Sequence, residues 1–436
     1  MIENLKIENF GPIKNVNLDL KRVFVLIGPQ SSGKSVIAKL IAIFRDWDFV
    51  VDRISFIELL KKHNIDSYLN DKSIITYTSD PFSFSFKEKE NFEYNKDHRL
   101  FTILQRYRSI KDKNFGNNYL DSDEDIDAKI EDLVNRINEK LEKINKLSNE
   151  EIAEFKSMYD LFEKTVAENK SSKSNKKKSI SNTKQELLKF VNFSEYIPAE
   201  RILIPIISNT TLSFNNLDIP LPKNLIDFGS SFEKAREALN EINIEFLNIK
   251  YKFSQKENKI YLRNKKSILL NRASSGFQAV IPMLLVITHL SPNSNHGHTF
   301  VIEEPEQNLF PETQSDLVKF LTEHCTKHDN ESGNFNELVI TTHSPYVLTS
   351  FNNLLLANKV SANEEVGLEV DKIVAKQFWI KQENFNAYYI ENGKASQIFD
   401  EQLGLISENE LDSASEYIMN EFNQLMELRR STRYAR

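Results

Sequence analysis

The sequence of 436 residues predicts an α/β fold, a mixed sheet flanked by helices and interrupted by a large, mostly helical insertion. Three observations carry this expectation. The apolar run Phe24-Val25-Leu26-Ile27 ends in a glycine-rich turn that opens a helical pattern. Two more apolar runs, Thr299 to Ile302 and Leu338 to Ile340, also end abruptly in polar residues. Finally, 240 positions separate Lys34 from Ser274, far more than a small nucleotide-binding core needs between such points.

Composition narrows the class. With 40% hydrophobic and 27% charged residues the chain is ordinary for a globular protein. Its net charge of −7 means that any nucleic-acid contact requires a local basic patch. The single cysteine, Cys325, excludes an intramolecular disulfide and a cysteine metal site, which favours a reducing, cytoplasmic setting. The first residues lack the pattern of a signal peptide. The longest apolar stretch, Ala279 to Ile287, contains Pro282 and falls well short of the ~20 residues of a membrane helix, so no membrane partner is expected.

Taken in order, Leu5 to Phe10 and Val16 to Leu20 alternate apolar and polar residues, as antiparallel strands with one buried face do. Phe24 to Ile27 reads as a strand covered on both faces. Val36, Leu40, Ile41 and Phe44 recur at helical spacing, while Ser73 to Thr78 and Phe82 to Phe86 read as a hairpin. Beyond Asp121, Ile126, Ile130, Leu133, Ile137, Leu141, Ile144 and Leu147 predict an amphipathic helix of about 25 residues, suited to a short coiled coil. Ala167 to Thr183 reads as a polar loop, and a helix resumes over Gln185 to Phe193. The insertion is placed over 96–265, returning through a hairpin of Ile249 to Phe253 and Lys259 to Leu262. The core then comprises 1–95, 266–360 and 361–436. The last segment is expected to hold a strand pair (Ile373 to Ile380 and Ala387 to Ile390) and a helix near 408–430.

Four motifs bear chemistry. Gly28-Pro29-Gln30-Ser31-Ser32-Gly33-Lys34-Ser35 fits a phosphate-binding loop, and its reach extends to Val36. The glycines let main-chain N–H groups converge on phosphate oxygens, and the following helix adds its positive end. Lys34 is suited to the β- and γ-phosphates of ATP, and the Ser35 hydroxyl to Mg²⁺. At the end of its strand, Glu303 is assigned to Mg²⁺ and Glu304 to the attacking water. His343, ending the second polar-tipped strand, can bond a γ-phosphate or that water. Ser274-Ser275-Gly276-Phe277-Gln278 opens a helix running from near Phe277 through Ile287, and its hydroxyls and amides make an anion site or an ordinary cap. Two basic features remain open: the run Lys170, Lys173, Lys176, Lys177, Lys178, either a solvated loop or a phosphate contact, and Arg201, either on a phosphate or on a carboxylate.

Together these residues resemble the ABC-type P-loop ATPases of the SMC/RecF group, and more closely the ATPase domain of the OLD family and its relatives in antiphage systems. The match lies in Ile7-Glu8-Asn9-Phe10-Gly11-Pro12-Ile13, in Glu303-Glu304-Pro305-Glu306-Gln307-Asn308-Leu309-Phe310-Pro311 and in Thr342-His343-Ser344-Pro345. It covers about 1–45 and 265–350. The resemblance implies that Ser274, Ser275, Gly276 and Gln278 serve a nucleotide, with Ser274 and Gly276 meeting the γ-phosphate of ATP held by a second subunit. It also implies that Asn308 lies in a dimer-facing turn. Three departures stand out. Glu303 replaces the usual aspartate, the signature begins Ala273-Ser274-Ser275-Gly276, and no glutamine is assigned to the γ-phosphate-sensing loop.

OLD nucleases carry a Toprim domain with an Asp-x-Asp, and zinc-hook ATPases a Cys-x-x-Cys; this sequence shows neither motif in the expected place. The chain is therefore similar to stand-alone ATPase subunits such as those of the PARIS and Septu systems. The expectation is an ATP- and Mg²⁺-dependent homodimeric or larger switch acting through a separate effector, a nuclease or toxin, with DNA as a further partner. The alternative is a RecF- or SMC-like repair ATPase.

Overall fold

The computed structural model describes residues 3–51, 54–80, 82–87, 91–96, 102–105, 192–208, 221–263, 266–292, 296–326, 335–363 and 365–407. The chain divides into two compact units, Met1–Asp97 with Leu188–Arg436, and His98–Leu187. Nearly all described residues belong to the first. The expected amphipathic helix over 126–147, the polar loop with its lysine run, and the helix near 408–430 lie outside the described residues.

The first unit is organised by an eleven-stranded mixed sheet. Its antiparallel wing begins with β1 (Asn4–Phe10) and β2 (Ile13–Asp19), whose alternating burial follows the alternating sequence. β4 (Ile74–Ser79), β5 (Phe82–Lys87) and β6 (Asn91–Lys96) extend that wing by antiparallel pairing. The hairpin read from Ser73 to Phe86 is thus present, with one strand more beside it.

The parallel part is more apolar because both of its faces are covered. β3 (Val23–Ile27), β12 (His298–Glu303) and β13 (Glu337–Thr342) are buried at every residue. β13 lies between β3 and β12, parallel to both. Helix α1 (Lys34–Phe44) packs against β12 and β13, and nine of its eleven residues are buried. The other face is closed by a cluster joining Val25, Phe300 and Ile340 to the helices described below.

Phenylalanine earns its frequency on the α1 side. Phe44 stacks on Tyr77 at 4.8 Å between centroids, and Phe56, in α2 (Phe56–Lys62), meets Phe84 at 4.8 Å. Aromatic pairs of this kind add about 0.5–1.5 kcal/mol each beyond the area they bury. They fasten the antiparallel wing to the helix that follows the glycine loop.

Three sequence expectations are corrected. Phe193 ends no helix: it starts β7 (Phe193–Ile197), the edge strand parallel to β12. Its neighbours Tyr196 and Ile197 are buried, which a polar inserted lobe would not require. Accordingly, residues from 188 onward belong to the core unit, not to an insertion reaching 265. α3 (Lys223–Leu239) and a four-stranded sheet of β8 (Glu241–Ile244), β9 (Ile249–Ser254), β10 (Glu257–Leu262) and β11 (Ser267–Leu269) share the core cluster. The hairpin expected at 249–262 is β9 and β10.

The third correction concerns Ile373 to Ile380, which is not a strand. Ile373 ends a short helix, Gly367–Ile373, and is 83% exposed; a tight turn, Lys376–Phe378, follows. Val374, Phe378 and Ile380 do pack on the core, but from a helix end and a tight turn, not from one strand face. β14 (Phe385–Glu391) instead pairs with β15 (Lys394–Gln397) across the turn at Asn392 and Gly393, both at positive φ. β14 runs parallel to β3 on the side away from β13, so the strand entering the glycine loop has a parallel neighbour on each side.

Candidate functional site

Sheet register brings three motifs to one edge. Ile27 pairs with Thr342, and Thr341 with Glu303, so the phosphate loop, His343 and the Glu303-Glu304 pair leave the carboxyl ends of neighbouring parallel strands. That edge is where open α/β sheets bind ligands.

The phosphate loop alternates backbone hands, with positive φ at Gly28, Ser31 and Gly33, the arrangement that turns successive N–H groups toward one anion. Gly28 is required for a second reason: a Cβ there would lie 2.1 Å from the Ile390 carbonyl of β14. Lys34 is 5% exposed and donates to the carbonyls of Gly28 (2.9 Å) and Pro29 (2.7 Å), with Ser32 Oγ at 3.4 Å. Burial pulls its ammonium down to about 8, against the opposing fields of Glu304, Glu306 and Glu303. Ser35 is exposed and Val36 buried at the start of α1, while Pro29, Gln30 and Ser31 are exposed on the loop.

Glu303 is 5% exposed. One of its oxygens lies 3.4 Å from the Ala199 amide; the carboxylate neighbours the buried Tyr196 hydroxyl, and Oε1 has no other hydrogen-bond partner among the described residues. A buried carboxylate oxygen left over beside a serine-tipped phosphate loop is a donor set that fits a hard divalent cation such as Mg²⁺, with nucleotide oxygens completing it. Glu304 takes φ 42°, the left-handed region, at a cost of roughly 1–2 kcal/mol for a residue with a Cβ. Its amide donates to Thr341 O at 2.8 Å, and its carboxylate accepts from Gln307 Nε2 at 3.0 Å. His343 Nε2 lies 3.3 Å from Glu304 Oε1, so the two residues expected to handle the water are in contact.

Sequence reasoning passed over Glu306. Its Oε1 accepts from Thr342 Oγ1 (2.6 Å) and from the His343 amide (3.0 Å), fixing the main chain that carries His343. Its place two residues after the acid pair, on a strand-end turn, was the only signal available. Arg201 was read too narrowly. Fully buried, it donates to the carbonyls of Pro198, Ala279, Glu303 and Glu304, and among the described residues it makes no hydrogen bond to a carboxylate.

The signature loop opens α4 (Ser275–Leu290), a buried helix with Pro282 inside it, two residues longer at its start than expected. Ser274 occupies the cap position, yet its hydroxyl makes no capping bond, and both Ser274 and Ser275 are exposed. Ser274 is thus the N-cap residue of α4 by position, without a side-chain capping bond. Gly276 is buried against the turn after the acid pair, where a Cβ would come within 2.7 Å of Asn308 O; Asn308, at φ 58°, is exposed. Gln278 donates to Ala273 O at 2.8 Å and so stiffens its own loop.

Among the described residues no helix is long and apolar enough to cross a membrane. Comparison with known proteins adds a family. The model for the AAA ATPase domain (AAA_15) matches residues 1–348, well over half of the chain. No curated protein matches. Among solved structures, the chain is similar to the Smc head domain with an extended coiled coil bound to the C-terminal domain of ScpA, from Pyrococcus furiosus, at 10% identity and TM-score 0.37 over 96% of this chain and 99% of that one. It is similar to the SMC head domain from Thermotoga maritima at 13% identity and TM-score 0.34, covering 80% and 91%. The Smc head domain with a coiled coil and joint from Pyrococcus yayanosii gives 11% identity and TM-score 0.36, covering 95% and 99%. With the phosphate loop, acid pair and histidine assembled on one sheet edge, and the family model spanning all three, this chain belongs to the AAA ATPase domain family and is an ATPase.

Proposed function

We propose that the protein is an ATP-driven switch that works by closing two copies around shared nucleotides. Gly28 to Val36 hold the triphosphate, and Lys34 exchanges loop carbonyls for phosphate oxygens. Ser35 and Glu303 hold Mg²⁺, which would neutralise phosphate charge when bound. Glu304 polarises the attacking water, with His343 beside it. Ser274, Ser275 and Gly276 cap the ATP of the other copy, and Asn308 lies in the facing turn.

One observation carries this reading. The signature serines are exposed at the start of a buried helix, and the Ser274 hydroxyl makes no capping bond there. They suit an anion that a second copy presents.

Glu304→Gln is the test: it should retain ATP, lose turnover by ~100-fold or more, and accumulate as an ATP-dependent dimer by light scattering. A monomer at all protein concentrations with ATP bound would refute the shared site. The resemblance to OLD-like ATPases supports an antiphage role exercised through a separate nuclease or toxin. The same machinery suits a repair ATPase on duplex DNA, and stimulation of turnover by DNA alone, without an effector, would favour that second role.

A further inference from the structure

Every hydrogen bond of Arg201 among the described residues ends on a main-chain carbonyl, and those carbonyls belong to three separate parts of the site. Nη1 binds Glu303 O at 2.6 Å and Pro198 O at 3.0 Å; Nη2 binds Glu304 O at 2.7 Å; Nε binds Ala279 O at 3.0 Å. We infer that Arg201 is a positioning residue for hydrolysis, holding the acid turn in the conformation that presents Glu304 and tying that turn to the helix of the signature loop. The inference rests on the reading that Glu304 polarises the water.

The acid turn needs such a restraint. Glu304 sits at φ 42°, which an unrestrained glutamate leaves readily. Its amide is tied to Thr341 O on β13 and its carbonyl to Arg201, so both peptide groups around the strained residue are fixed. Glu303 is held twice by the same segment, its carbonyl by Arg201 and its carboxylate facing the Ala199 amide.

A planar guanidinium can serve carbonyls that diverge by this much, whereas a lysine ammonium can satisfy only part of the set. Burial pulls Arg201 down to about 10, with Glu306, Glu303 and Glu304 opposing, so it is cationic at neutral pH and offsets the crowding of three carboxylates. On the other side, Ala279 lies three residues before Pro282. Proline there crowds the preceding turn of α4, and the carbonyl that Arg201 takes up lies in that turn. A shift of α4 when its Ser274 end engages a partner's nucleotide therefore reaches Glu304 through one side chain.

The experiment compares Arg201→Lys, Glu304→Gln and the double variant, measuring ATP affinity and single-turnover hydrolysis in the full chain. Arg201→Lys is expected to bind ATP within about threefold of wild type while its hydrolysis step slows ~10–100-fold. The double variant should be no slower than Glu304→Gln, because Arg201 acts through Glu304. Wild-type hydrolysis in Arg201→Lys, or an equal slowing in both backgrounds, would overturn the inference. If the lysine variant melts below the assay temperature, Arg201→Gln brings an uncharged planar amide into the same space and is read in the same two backgrounds. The failures are separable: Glu304→Gln at wild-type rate removes the assignment of the water, while an inactive Glu304→Gln beside a normal Arg201 variant removes only the clamp.

Discussion

The phosphate loop and the signature loop both open a helix, and they do so in opposite ways. Before α1, Lys34 is buried and bonded to carbonyls of its own loop, and Gly28 is packed beneath Ile390. Before α4, Ser274 and Ser275 are exposed and the cap hydroxyl is unused, although the helix behind them is buried along most of its length. The first loop is organised by its own chain before any nucleotide arrives. The second has a rigid base, with Gly276 against Asn308 and Gln278 stitched to Ala273, but its polar tip is exposed. A half-site that completes itself beside one that does not is the contrast on which the proposed sharing of nucleotides between two copies rests.

The largest effect should come from breaking the self-sufficient half. Lys34→Ala should weaken ATP binding by ~100-fold or more, read by calorimetry; unchanged affinity would disprove the loop's role. Ser274→Arg should break the other half selectively. ATP affinity should stay within about threefold while turnover falls ~10–100-fold, and mixing this variant with Lys34→Ala chains should restore part of the activity, since each supplies what the other lacks. Failure of any mixture to recover activity would count against sharing.

A smaller effect sharpens the contrast through pH. Lys34 titrates at about 8 in the free protein, and phosphates beside it must raise that value, so the bound form holds its proton to higher pH. ATP affinity should therefore be flat below pH 8 and fall as pH rises through it, by up to about tenfold per unit, with proton uptake on binding. A pH-independent affinity from 7 to 9.5 would show that the lysine enters the complex already fully charged.

Much of this was legible in the residues. Continuous apolar runs announced β3, β12 and β13, and strict alternation announced β1 and β2, because burial on two faces or one leaves distinct periods. The phosphate loop, Glu303, Glu304 and His343 were found because each ends such a run. What escaped were relations across the chain. β7 is short and half polar, and only its pairing to β12 makes it part of the core. Arg201 and Glu306 work on main-chain groups far away in sequence, which no local pattern encodes. The strand assigned near 373–380 failed for the converse reason: apolar residues that pack on the core from a helix end and a turn imitated a strand, with no neighbour to pair with.

The position of β14 and β15 has a consequence for how the molecule forms. These strands stand between β2 and β3, which are made more than 350 residues earlier. Until residues 385–397 emerge from the ribosome, β3 has only one of its two flanking strands, and the antiparallel wing has no seam to the parallel one. The family match itself stops at residue 348, short of that seam. Such high sequence separation makes assembly slow and late. A chain cut after residue 348 would carry every catalytic motif and still leave the floor beneath Gly28 missing.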